Sequence, residues 1–198
     1  MKIGLYFGSF NPVHSGHLII ANHILNNTGL ERIWFVVSPH NPFKESSTLL
    51  NEYDRLHLLK IATEEDSRVK VLDVEFSLPK PSYTSATLVH LEEKYPGHDF
   101  SIIIGSDSFQ NLHKWKNFEM IVKNYPIYIY IRPGFEVKNT IQAHINIVKA
   151  PLLEISSTEI RQLIQEGKSI RYLVPEKVRE EIERGGYYKK PVSGNISQ

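Results

Sequence analysis

A doubly wound α/β fold on a parallel sheet is predicted by three observations. Short runs rich in Ile, Val, Phe and Tyr recur along the 198 residues, with helical stretches between them. Several of these runs are almost continuously apolar, as strands covered on both faces are. The first run leads directly into a Gly- and Pro-bearing turn and then a helix, the unit from which such folds are assembled.

The elements follow in chain order. Ile3, Leu5 and Phe7 give a strand over Lys2 to Phe7. A turn follows, and Leu18, Ile19, Ala21, His23, Ile24 and Leu25 carry a helix over 16–27. Further strands are predicted at Arg32 to Val37, Val69 to Val74, Phe100 to Ile104 and Pro126 to Ile131, with a weaker one at Asn146 to Val148. Helices are predicted over 51–65, 84–95, 117–124, 157–166 and 175–184. Residues 1–188 read as a single domain whose C-terminal helical part covers about 156–188, and 189–198 as a flexible tail. Ligands are then expected at the C-terminal ends of the parallel strands.

Composition narrows the function. The formal net charge is +1, so no strong field points to nucleic acid or to an acidic membrane. The chain has no cysteine, which removes disulfide scaffolds, thiolate zinc sites and a cysteine nucleophile together. No leader-like or spanning apolar run is seen, so a cytoplasmic protein is expected.

The segment GSFNPVHSGHL, residues 8–18, concentrates the chemistry. Gly8 allows the turn, Pro12 fixes a backbone angle, and Gly16 leaves room for His14 and His17 around a helix start. Free N–H groups and the helix dipole favour an anion there. His14 and His17, three residues apart, are expected on one side of the first turn, as donors to charge developing on phosphate oxygens. Histidines on a surface or at a metal site are the plainer alternative. A dinucleotide fingerprint is not supported, because Phe10 and Val13 occupy two of its glycine positions. No third ligand at helix spacing joins the pair, so no protein-built metal site is expected.

Other constellations lie at strand ends. ISSTEIR, residues 155–161, places Ser156 and Glu159 as a capping box and brings Ser157, Thr158 and Arg161 to a helix start, a second anion site. SPHNPFKE, residues 38–45, follows the second strand, and its Lys44 is either a phosphate contact or a solvated lysine. Ser82, Tyr83 and Thr84 precede a helix and can be read as caps. Gly105 and Asp107 follow the fourth strand, where a carboxylate suits ribose hydroxyls or a metal. Trp115 is either a core residue or a stacking surface for a flat ring. His23, His57, His90, His98, His113 and His144 lack ligand spacing and read as structural or solvated, while His40 shares the Lys44 loop.

GSFNPVHSGH followed far downstream by ISSTEIR resembles the nucleotidylyltransferase superfamily, whose hallmark pair is a GxFxPxHxGH-like and an ISSTxIR-like segment. Within it the chain is most similar to the bacterial nicotinate-mononucleotide adenylyltransferases. That likeness also covers PHNPFK, PSYT, IIGSD with LHKW, and RYLVPEKVREEI. It implies a Rossmann-like fold and adenylyl transfer from ATP to nicotinate mononucleotide, giving deamido-NAD and pyrophosphate. Magnesium would be carried mainly by the ATP phosphates.

The resemblance assigns roles residue by residue. His14 and His17 would stabilise the ATP phosphates; Gly8, Ser9 and Phe10 would contact the nucleotide through the backbone. Lys44 would hold a phosphate, and Ser157, Thr158 and Arg161 would close around the β and γ phosphates. Gly105 and Asp107 would meet adenosine and its ribose, while Ser82, Tyr83, Thr84 and Trp115 would form the mononucleotide pocket. The family usually has glycine and aspartate where this chain has Lys80 and Ala86, both on the mononucleotide side. Lys80 facing the pocket would favour an acidic acceptor. Nicotinamide mononucleotide and phosphopantetheine are the rival acceptors, and a non-catalytic nucleotide-binding module is the rival class. A homo-oligomer is compatible with the sequence.

Overall fold

A computed structural model describes residues 1–39, 48–151 and 154–189. Six parallel strands form one sheet: β1 (Lys2–Gly8), β2 (Arg32–Val37), β3 (Val69–Leu72), β4 (Asp99–Gly105), β5 (Ile127–Tyr130) and β6 (Ile145–Val148). Their order is β3-β2-β1-β4-β5-β6, so the strand order reverses between β1 and β4. That reversal opens a crevice at the carboxyl ends of these two strands. The register brings Gly8 beside Val37 and Gly105 beside Tyr130, which puts four loop entrances along one edge.

Alternation along each strand divides the core in two. Ile33, Phe35, Val37, Tyr6 and Ile103 pack under α1 (Ser15–Asn27), α2 (Glu52–Thr63), α6 (Ser157–Gln165) and α7 (Glu176–Gly185). Trp34, Val36, Ile3, Leu5, Ile102 and Ile104 pack under α3 (Thr84–Lys94), α4 (Ser106–Gln110) and α5 (Phe118–Asn124). Both faces are therefore covered, as the apolar strand runs require.

Two local expectations are corrected. The third strand ends at Leu72, and Val74–Phe76 forms a 3₁₀ turn instead of a strand end. A five-residue helix, α4, follows β4 directly where none was predicted. No helix among the described residues is long and apolar enough to cross a membrane.

Candidate active site

The turn after β1 carries its strain at Phe10, a non-glycine residue at φ 46°. Packing holds it there: the buried Phe10 ring meets Tyr6, Phe35 and His17 edge-on, at centroid distances of 5.8, 5.3 and 5.1 Å. A Cβ on Gly8 would come within 2.8 Å of that ring. The two histidines are arranged differently from a pair on one helical turn. His14 is the extended N-cap of α1, with φ −144°, and only His17 lies inside the helix. Their rings stack at 3.7 Å, and Gly16 permits this, since a Cβ there would sit 3.0 Å from His14 Nδ1.

Hydrogen bonding sets the His17 tautomer. The His14 backbone N–H donates to His17 Nδ1 at 3.2 Å, so the neutral ring carries its proton on Nε2. Burial, the His14 ring and the Arg132 guanidinium all hold His17 well below the usual histidine range. Burial and then Arg132 push His14 down to about 4. The pair is thus neutral at pH 7 without ligand, and His14 Nδ1 is buried with no hydrogen-bond partner among the described residues.

Three side chains from distant parts of the sequence hold the carbonyls of the loops at the strand ends. Arg55 of α2, fully buried, donates to Ser9 O at 2.6 Å, Ser38 O at 2.7 Å, Pro39 O at 2.8 Å and Leu50 O at 2.8 Å. Arg161 donates to Asn11 O at 2.8 Å and to Thr158 Oγ1 at 3.3 Å. Ser157 Oγ donates to Pro12 O at 2.9 Å. The structure thus brings Ser157, Thr158 and Arg161 to the histidine loop, where they brace its backbone. Ser156 caps α6 by accepting the Glu159 N–H at 3.1 Å.

The opposite wall comes from β4 and β5. Asp107, in the first turn of α4, pairs with Arg132 Nε at 3.3 Å. Arg132 also donates to the Tyr130 hydroxyl at 3.2 Å, and its backbone N–H donates to Ser106 Oγ at 2.9 Å. His14, Gly16, His17, Ile20, Tyr130 and Arg132 share a cleft of about 240 Å³. Sequence reasoning missed Arg132. Its signal is its place two residues past β5, at the ligand edge, ahead of Pro133 and Gly134.

On the acceptor side, Tyr83 is the N-cap of α3, but its side chain makes no capping bond. The capping reading of Ser82 is also overturned: its hydroxyl donates to Glu75 Oε2 at 2.9 Å. Thr84 opens α3, and Trp115 is half-buried against the core beneath α3 and α5. Lys116 joins the two segments, its Nζ standing 4.5 Å over the Tyr83 ring. Lys80 pairs with Glu52 at 3.5 Å and is 57% exposed. Lys44 and His40 lie outside the described residues. Among the described residues no three His, Asp or Glu side chains are grouped to hold a metal ion.

Comparison with known proteins agrees with this architecture. A family model described as cytidylyltransferase-like matches residues 5–163. A Flavobacterium johnsoniae protein named probable nicotinate-nucleotide adenylyltransferase is 52% identical over 96% of this chain and 100% of its own length. One of the same name from Flavobacterium psychrophilum is 51% identical over 96% and 100%. The fold is shared with a solved Plasmodium falciparum nicotinic acid mononucleotide adenylyltransferase complexed with NaAD, at a TM-score of 0.81 and 22% identity, covering 94% of this chain and 97% of that one.

Proposed function

The chain belongs to the cytidylyltransferase-like family, among the nicotinate-nucleotide adenylyltransferases, and from that premise we propose how its residues transfer an adenylyl group from ATP to nicotinate mononucleotide. The observation that carries the reading is the stacked, neutral His14–His17 pair at the start of α1, in the crevice between β1 and β4. The acceptor's 5′-phosphate attacks the α-phosphorus of ATP in line. One P–O bond forms, the bond to the β-phosphate oxygen breaks, and pyrophosphate leaves. An ionised phosphate is already a competent nucleophile, so positioning and charge stabilisation supply the catalysis.

His17 donates through Nε2–H to phosphate oxygens as charge builds on them, and His14 stacks behind it. Arg132 supplies a fixed positive charge across the cleft, and Asp107 holds that guanidinium in place while meeting the nucleoside side. Gly8, Ser9 and Phe10 offer backbone to the nucleotide. Ser157, Thr158 and Arg161 brace that loop and lie beside the phosphates, with Lys44 assigned to a phosphate as well. Ser82, Tyr83, Thr84 and Trp115 form the mononucleotide pocket. Lys80 is an exposed lysine paired with Glu52. Magnesium bound by ATP oxygens and water would offset phosphate charge.

The test is pyrophosphate release from ATP with nicotinate mononucleotide, nicotinamide mononucleotide and phosphopantetheine as rival acceptors. Nicotinate mononucleotide is expected to give the highest kcat/KM. Preference for phosphopantetheine, or no release with any acceptor, would overturn the assignment. His17→Ala is expected to lower kcat by on the order of 10²-fold, the cost of losing a preorganised donor. An unchanged kcat would remove His17 from the mechanism.

A further inference from the structure

Glu75 is buried to 3% exposure in the 3₁₀ turn after β3, with no ion-pair partner among the described residues. Its carboxylate faces hydroxyls from two segments, the start of α3 and the end of β2. Ser82 Oγ donates to Oε2 at 2.9 Å and Thr87 Oγ1 donates to Oε1 at 2.9 Å, while the Ser38 hydroxyl lies near enough to favour the charged form. Burial raises its pKa, and the three hydroxyls oppose that shift. A buried carboxyl group carries a desolvation cost that an apolar side chain of similar size would avoid. Loop packing alone therefore does not account for it.

The partners show what the carboxylate joins. Ser38 follows β2, donates its N–H to Gly8 O at 2.9 Å and gives its carbonyl to Arg55, so it belongs to the framework of the nucleotide loop. Ser82 immediately precedes Tyr83, the N-cap of α3. Thr87, one turn into α3, donates its backbone N–H to Tyr83 O at 3.1 Å, and its hydroxyl lies 3.3 Å from the same carbonyl. One carboxylate thus ties the turn after β3 to the start of α3, with Ser38 at the end of β2 beside it. With both oxygens engaged and almost no exposure, Glu75 does not touch substrate.

We infer that Glu75 is a positioning residue for the acceptor half of the reaction, setting the Ser82–Tyr83–Thr84 segment at its working distance from the nucleotide loop. This rests on the reading that the start of α3 receives the mononucleotide. The identity of the group matters because a carboxylate accepts on two oxygens. The amide of Glu75→Gln has a single acceptor oxygen, so one hydroxyl loses its partner.

The experiment is steady-state kinetics of E75Q and, separately, Ser82→Ala, with thermal unfolding of each. Wild-type turnover of nicotinate mononucleotide reports independently on the reading beneath this one. In E75Q, KM for the mononucleotide should rise about tenfold, the scale of one hydrogen bond. KM for ATP should change less than about twofold, within the scatter of an uninvolved site. S82A should raise the same KM, and S82A/E75Q should be no worse than E75Q alone. Parallel increases in both KM values, or unchanged KM values in folded E75Q and S82A, would overturn the inference. If E75Q fails to fold, Thr87→Val decides, because it removes the other hydroxyl partner of Glu75 without touching the pocket: a selective rise in the mononucleotide KM supports the inference, and no rise overturns it.

Discussion

The histidine pair ties stability to pH through its environment. Both rings sit below the ordinary range in the folded chain, so as pH falls below about 6.5 the unfolded chain binds protons that the fold excludes, for His14 down to about 4. The stabilising contribution is complete above the unfolded value and is lost as pH falls through that window. Each histidine adds a slope of up to about 1.4 kcal/mol per pH unit there. Urea unfolding from pH 4 to 7 checks it: His14→Gln should show a shallower decline than wild type, and equal slopes would deny His14 the effect. The spacing of His14 and His17 was legible in the sequence, but their stacking was not. It depends on His14 remaining extended as an N-cap and on the absence of a Cβ at Gly16, which are properties of folded backbone.

At the scale of elements, α2 matters for more than the core it covers. Arg55 sends one guanidinium to four carbonyls in the segments that follow β1 and β2. Charge-assisted hydrogen bonds are the stronger kind, and buried carbonyls deprived of donors are costly. Arg55→Met is expected to lower unfolding free energy by about 3 kcal/mol or more, and to raise KM for ATP along with it. Chemical denaturation with parallel kinetics measures both, and a stable variant with normal ATP kinetics would reduce Arg55 to filler. Apolar patterning showed α2 from its sequence, yet an arginine on a helix reads as solvated, so its burial was hidden. The strands were legible because their apolar runs are long and covered on both faces. Ser106–Gln110 was not, since five residues are too few to display a helical period.

Across the whole molecule, the C-terminal helices are integral to the sheet's first half. Val178 and Ile182 of α7 are buried with Leu56, Leu58 and Leu59 of α2. Lys177 reaches both Glu64 and Glu65 just past α2, and Tyr187 donates to Asp54 at 3.3 Å. Ile182→Ala should cost about 2–5 kcal/mol and lower Tm by on the order of 10 °C, as a large-to-small change in a packed core does. Calorimetry tests it, and an unchanged Tm would mean that α7 is peripheral. The sheet and its ligand edge followed from the order of elements along the chain. The long-range ties did not, because hydrogen bonds between residues more than a hundred positions apart leave no periodic mark.

Those ties also bear on how the protein comes into being. The nucleotide loop is among the first segments made, at residues 8–14, yet two of its three braces are Ser157 and Arg161, and the start of α1 is held by the carbonyls of Tyr172 and Leu173. A nascent chain that has delivered all six strands still lacks these contacts. Competence to hold ATP in the braced geometry therefore arrives only near the end of synthesis. Prematurely terminated chains, however well their sheet forms, lack the bracing that completes the site.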